Sequence, residues 1–596
     1  MKKLALVLAV VMVLSLGLTA CGGSTSSTGT ASSAPAGSSS SGSASDAAPA
    51  YNPDALQVKA LDDNTLQVTL TARTPYFLEL TAFPAYAPVQ QATVEANGEA
   101  WAVDAATYIG NGPYKIAEWV PSSHITMVKN ENYWNVDSLA GPDTLQFTLM
   151  EDDAAQLTAF QSGELDFIDA VPNDEIDALS STPEFYKEGQ IGTYYVSYNT
   201  QAAPFDDPLV RQAFTLAVDR DYICKQIGKS GQIPAGAFVS EGLSDAAEGS
   251  SFREVGGDYY DPTAGANEAN LAKAKELLAE AGYPNGEGLP TITYLYNEGT
   301  GHQQIGEALQ QMWGQLGATV TLESQEWATF LNTRKNGDYQ VARNGWLGDY
   351  NDPISFLDMW ITGGGNNDAQ WSNAEFDSLI KQIKSSGDAE ARMEMMHQAE
   401  DIIFDEWMLC PIYYYVDIYM AQQNLENLST SPLGFKFFMN ASNGTDTLKV
   451  CTGPDPDTID PALNSAVDGG TMIDHAFEGL YTVAYGTTPT PGQAESVEIS
   501  EDGLTYTFHL REGLKWSDGT PLTAHDFVYS WQRAVDPATG ADYAYMFECI
   551  AGYTEAINGE EYVAPAADAS SASTSESAAE SVSASTSENA STSAAA

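Results

Sequence analysis

Basic residues are scarce in this 596-residue chain: 25 lysines and arginines stand against 81 aspartates and glutamates, a formal charge of −56. That balance argues against nucleic acid and anionic membrane surfaces as partners, since both favour a positive face. Cysteine is scarce too, with five in all. Cys224, Cys410, Cys451 and Cys549 lie far apart in apolar or aromatic surroundings. They read as buried free thiols or as disulfide partners, and spacing does not decide between the two. No Cys or His pair has zinc-like spacing, and no metal or cofactor is expected. The six histidines, at 124, 302, 397, 475, 509 and 525, form no general-base constellation. No His-Glu-x-x-His is present, and Gly228-Lys229-Ser230 lacks the glycine a phosphate loop requires at position 223, which is Ile. Asp455-Pro-Asp457-Thr-Ile-Asp460 lacks the glycine and terminal glutamate of a calcium loop and reads as a solvated acidic turn. A carboxylate pair of glycosidase type is unmarked among so many acids. Only the N-terminus carries a long apolar run.

That run is informative. Met1-Lys2-Lys3, the apolar stretch Leu4 to Thr19 and Leu18-Thr19-Ala20-Cys21-Gly22 read as a lipoprotein signal over 1–20, with Cys21 taking the lipid. The run is short for a hydrocarbon core of about 30 Å. An ordinary secretory signal that contains a cysteine is the alternative. Residues 21–50 and 564–596 are rich in Ser, Ala, Gly and Thr or Glu, and such compositions cannot bury enough apolar surface to fold. The first would be a flexible tether and the second a disordered tail. The aromatic-rich stretch between them exceeds what one core serves, so two or three lobes are expected.

Strand and helix signals alternate through this stretch, the pattern of an α/β protein. Leu66/Val68/Leu70, Leu145/Phe147/Leu149 and Leu504 to Leu510 alternate as half-buried strands. Asn267 to Ala281 is an amphipathic helix with Asn267 as its cap and Gly282 and Pro284 ending it. The clearest unit is a βαβ crossover: strand Thr291–Tyr296, helix His302–Leu316, strand Thr319–Leu322. Ligands of such sheets sit beyond the C-terminal strand ends, which here means Glu298 to His302.

Phe508-His-Leu-Arg511-Glu-Gly-Leu-Lys-Trp516-Ser-Asp518-Gly-Thr-Pro-Leu-Thr-Ala524-His-Asp526-Phe-Val-Tyr-Ser-Trp531-Gln-Arg533 resembles the signature of the oligopeptide- and dipeptide-binding family of extracellular solute receptors. Asn111-Gly-Pro-Tyr114, Asn130-Glu-Asn-Tyr133-Trp134, Pro204-Phe205-Asp206-Asp207, Val218-Asp219-Arg220 and Glu326-Trp327 through Arg334 are similar to further family segments. Their order differs from the family's. The segment from Leu448 to about Glu560 stands first in family members but last here, so the chain reads as circularly permuted, by nature or by assembly of the sequence.

The resemblance implies a two-lobed periplasmic-binding-protein fold with a hinge and an extra third domain. Domain I would comprise 108–235, 417–442 and 448–477; domain II 51–107 and 478–563; domain III 236–416; and 443–447 would be the permutation linker. It further implies a non-enzymatic, monomeric receptor that delivers short peptides to the membrane permease of an ABC importer from outside the cytoplasm. Relatives that carry nickel, haem or sugars give the nearer alternative, and an exported lipoprotein hydrolase the more distant one. By motif, Asp349 in Gly345-Trp346-Leu-Gly-Asp349 would take the peptide ammonium. Gly345, Leu347 and Val467 would offer backbone, and Trp346 and Trp327 would line side-chain pockets. Arg343, Arg334 and His302 would meet the peptide carboxylate, and His302 also stands at a helix start that favours an anion. Ser465 replaces an acidic ligand-facing family residue, which removes one source of preference for basic side chains.

Overall fold

A computed structural model describes residues 50–299, 301–484 and 488–564. The signal, Cys21 and the tether, apart from Ala50, lie outside the described residues, as does the tail from 565 onward. Among the described residues no helix is long and apolar enough to cross a membrane.

Two sheets organise the chain. The smaller is antiparallel and four-stranded, ordered Val58–Asp62, Thr65–Thr69, Thr505–Leu510, Ala494–Ile499. Its central pair joins segments from opposite ends of the chain, with Val68 opposite Tyr506 and Leu66 opposite Phe508. Alternation drives the pairing: Leu66, Val68 and Phe508 are fully buried, while the residues between them stay partly exposed. Helix Ala524–Val535, opened by a Thr523–Asp526 capping box, packs beneath this sheet, and Trp531 Nε1 donates to the Tyr86 carbonyl at 2.9 Å.

The larger sheet has eleven strands. Those that matter for the site are β1 (Thr144–Leu149), β2 (Phe185–Tyr198), β3 (Ile292–Asn297), β4 (Val320–Gln325), β5 (Val341–Leu347), β6 (Leu409–Ala421) and β7 (Thr447–Gly453). They lie in the order β4, β3, β5, β2, β6, then Phe167–Ile168, β7 and β1. The four helices near the site are α1 (Asp153–Gln161), α2 (His302–Gly314), α3 (Trp327–Lys335) and α4 (Val467–Ala476). β3 and β4 are parallel in register from Ile292/Val320 to Asn297/Gln325, with α2 between them, so the expected crossover is present. Its strands begin one residue later than the pattern indicated, and β4 runs on to Gln325.

The folded ends meet. Asn52 N–H donates to the Ala556 carbonyl at 2.8 Å, and Asn52 Nδ2 donates to the Glu560 carbonyl at 2.7 Å. At 443–447 the chain makes a tight turn into β7. Asn443 Oδ1 accepts from Thr445 N–H at 2.9 Å, and Gly444 takes a φ of +81° that an L side chain rarely adopts.

Three local expectations are corrected. Asn267 does not cap its helix; it is the first helical residue of Asn267–Glu280, and Ala266 holds the cap position without a side-chain bond. The turn Asp455–Asp460 is not wholly solvated. Asp460 is 2% exposed, takes both Arg533 guanidinium nitrogens at 2.9 and 2.6 Å and accepts from Trp101 Nε1. The disulfide alternative falls away, since Cys224, Cys410, Cys451 and Cys549 are all buried and free. Desolvation pushes the Cys224, Cys451 and Cys549 thiols up to about 12.

Candidate functional site

A cavity of about 450 Å³ opens where β1, β3 and β5 end and where α2, α3 and α4 begin. All nine ligand-facing positions expected from sequence line it: His302, Trp327, Arg334, Arg343, Gly345, Trp346, Leu347, Asp349 and Val467. They come from four separate stretches of chain.

β5 supplies most of one wall. It pairs antiparallel with β2 along its whole length, from Val341 opposite Tyr198 to Leu347 opposite Gly192. On its other side β3 reaches only Val341 and Ala342. The rest of that edge, Arg343 to Leu347, has no partner strand among the described residues. Gly348 N–H points to β2, donating to the Ile191 carbonyl at 2.9 Å. The two-residue period of a strand therefore turns the Gly345 and Leu347 N–H groups to the open edge. There Gly345 N–H donates to its neighbour's side chain, Asn344 Oδ1, at 2.8 Å, a local bond that an incoming strand can replace. Gly345 also lets Tyr415 lie close, since a Cβ there would meet the tyrosine hydroxyl at 2.3 Å.

Asp349 follows β5. Its Oδ1 accepts from Tyr543 Oη at 2.9 Å and its Oδ2 from Ser355 Oγ at 3.3 Å. Removal from water pushes its carboxyl well above the ordinary range, the two hydroxyls oppose the rise, and Asp358 adds to it. No cation pairs with it among the described residues. A carboxylate in this state gains from an incoming ammonium, because the ligand supplies the countercharge that the fold withholds.

The three expected anion partners differ. Arg343 has no carboxylate partner among the described residues; its guanidinium lies 5.3 Å from the Tyr194 ring centre and 6.0 Å from that of Trp327, and its Nε lacks an acceptor. Aromatic faces stabilise the charge without neutralising it. Arg334 is already answered. Its Nε donates to Asp368 Oδ2 at 2.6 Å, with both side chains at or below 10% exposure, so one face of the guanidinium is held within the fold. His302 does open α2, yet it is 6% exposed, and burial followed by the nearby Arg343 charge holds its imidazole well below the usual value. Both influences favour its neutral form, and its Nδ1 meets Tyr194 Oη at 3.2 Å. It can offer a hydrogen bond to an anion, not a charge.

Val467 begins α4, which places the first N–H groups of that helix toward the cavity. Trp327 begins α3, whose start is fixed by the Glu326 carboxylate accepting from Ala328 and Thr329 N–H. Trp346 is anchored by Nε1 donating to the Ser355 carbonyl at 2.8 Å, which leaves its ring as a wall.

Sequence reasoning missed Tyr543, Tyr415 and a charge group in which the buried Lys436 Nζ lies 2.8 Å from Asp417 and 3.4 Å from the partly exposed Asp169. Burial pushes Asp169 up, Lys436 opposes and Asp417 adds to the rise. The run Tyr413-Tyr414-Tyr415 held a usable signal, since alternation puts Tyr413 and Tyr415 on one strand face. Tyr543 had none, lying far from the other site residues along the chain.

The profile of the bacterial extracellular solute-binding proteins, family 5, middle region, matches residues 27–368 and 488–586. The chain belongs to this family. Its members are binding proteins rather than enzymes, and they work outside the cytoplasm. Among curated relatives, the dipeptide-binding protein DppE of Bacillus subtilis (strain 168) is 37% identical over 385 residues, 64% of this chain and 69% of that one. The oligopeptide-binding protein OppA of the same organism is 35% identical over 400 residues, 65% and 71% respectively. Among solved structures, the Escherichia coli murein tripeptide binding protein MppA superposes with a TM-score of 0.58 at 31% identity, over 64% of this chain and 72% of that one. Haemophilus influenzae OppA in complex with RPPGFSPFR gives 0.57 at 29%, over 62% and 71%. The two-lobed α/β fold of the family is thus shared.

Proposed function

We propose that this chain is the extracytoplasmic receptor of a peptide importer, and that it captures short peptides by main chain and termini. In this reading Asp349 takes the α-ammonium, and Arg343 takes the carboxylate of one peptide length. The open edge of β5 adds the peptide as a short strand, Val467 offers backbone from the facing helix, and Trp346 and Trp327 wall the side-chain pockets. His302 assists as a neutral hydrogen-bonding group, and Arg334 shapes the wall through Asp368 without lending charge. The carrying observation is one cavity that holds a half-paired strand edge and, among the described residues, a carboxylate without a cation and an arginine without a carboxylate. Relatives named for dipeptides, oligopeptides and a murein tripeptide support this substrate class.

Binding by termini and backbone makes side-chain tolerance the expected behaviour, and closure of the lobes would desolvate both charges. A lipid on Cys21 would hold the receptor at the membrane beside its permease. The domain limits given above, and the permuted order, belong to the same proposal. The meeting of Asn52 with Glu560, the compact turn at 443–447 and relatives that match about two thirds of each chain all support it.

Native mass spectrometry of the purified protein tests the function. Co-purified or added peptides of two to six residues should bind intact and raise the melting temperature. Peptides that neither bind nor stabilise, or that are cleaved, refute it.

A further inference from the structure

One end of the cavity is rich in acceptors and poor in donors. Glu151 follows β1, Gln156 lies in α1, and Asn297 and Glu298 close β3; all four line the cavity. Gly299 brings the two strand ends together, since a Cβ there would lie 3.1 Å from the Glu151 carbonyl and 3.4 Å from Asp153 Oδ1. The charged neighbours that act on Glu151 are both carboxylates, Glu298 and Glu326.

Gln156 is 2% exposed and Asn297 8%, and the side-chain oxygen of each has no hydrogen-bond partner among the described residues. Their amide nitrogens are committed: Gln156 Nε2 donates to the Met150 carbonyl at 2.9 Å and Asn297 Nδ2 to the Glu298 carbonyl at 3.0 Å. A flip would set oxygen against a carbonyl, so the amide oxygens are fixed as the unanswered side. Glu151 Oε1 is likewise buried without a donor among the described residues, and the Trp327 backbone N–H is the hydrogen-bond donor that acts on that carboxyl. Buried acceptors of this kind are normally satisfied, and leaving them so is costly. Among the described residues no three acids or histidines are grouped to hold a metal ion. What fits is a group with several N–H donors and a positive charge.

We propose that this end is a subsite for the ammonium or guanidinium of a basic ligand side chain, held by Glu151 and Glu298 and by the amide oxygens of Gln156 and Asn297. The proposal rests on the peptide reading above and adds a side-chain preference to it. It supplies, from residues on α1, β3 and the end of β1, the acidity that Ser465 does not.

The test is titration calorimetry with tetra-alanine, with tetra-alanine carrying one lysine at each position in turn, and with the same peptides carrying Nε-acetyl-lysine. At one position lysine should bind about tenfold tighter than its acetylated form, the size expected for charge-assisted hydrogen bonds. In the Glu151→Gln, Glu298→Gln double variant that ratio should fall to about one. If tetra-alanine binds but lysine and acetyl-lysine are equal at every position, the subsite is wrong and the peptide reading stands. The subsite is also wrong if the ratio survives in the variant. If no peptide binds, both fall. The comparison of lysine with acetyl-lysine uses the unaltered protein, so it holds however the variant folds.

Discussion

Arg334 on α3 and Arg343 on β5 line the same cavity, and the two walls that carry them are built for different work. Arg334 is locked to Asp368, which also accepts from Asn344 Nδ2 at 3.1 Å, so its wall is closed and self-sufficient. Arg343 sits among aromatic rings with no carboxylate partner among the described residues, on a strand whose outer edge is open. An arginine whose charge the fold leaves unanswered has more to gain from a ligand carboxylate than one already paired. Where the fold has already answered it, the residue holds the wall in place.

The largest effect that sharpens this contrast is on stability. Arg334→Ala leaves Asp368 buried without its cation and should cost about 3 to 5 kcal/mol in denaturant unfolding. Arg343→Gln should cost far less there, and equal losses would erase the distinction. Next comes affinity. Asp349→Asn should weaken free-amine peptides by roughly 2 to 3 kcal/mol in calorimetry while scarcely changing N-acetylated ones. Arg343→Gln should weaken peptides of one length by about 1.5 kcal/mol and leave their carboxamides unaffected. The smallest effect is in protons. The Asp349 carboxyl is raised in the empty protein, so the folded state binds more protons than the unfolded one between the ordinary carboxylate range and the raised value. Stability therefore falls as pH rises through that window, and Asp349→Asn should flatten the fall. An arriving ammonium draws the carboxyl back down. Binding within the window should release up to about one proton, read from calorimetry in buffers of different ionisation heat.

Much of the architecture was legible because it obeys short periods. Leu66 and Val68, or Leu145 and Phe147, announce strands by alternation, and the stripe on α2 announces the crossover from β3 to β4. The lining of the cavity was legible as a set of positions, since local motifs place Arg343 to Asp349 on one strand and its exit. The state of each group was not legible. Whether Arg334 is paired depends on Asp368, the state of His302 depends on its burial and on Arg343, and Asp460 is buried by Arg533 and Trp101, contacts between distant segments. The same limit applied to Asn267, where a competent capping residue was carried into the first turn instead.

An unpaired strand edge usually invites trouble, because another chain can add to it and begin an aggregate. Here the open stretch of β5 is recessed, with Tyr415 over Gly345 and the starts of α2, α3 and α4 around it. A folded sheet cannot bring its rim into that hollow, whereas a short loose strand can. On the peptide reading the recess would act as a sieve, offering a sticky edge to small guests while denying it to the protein's own kind.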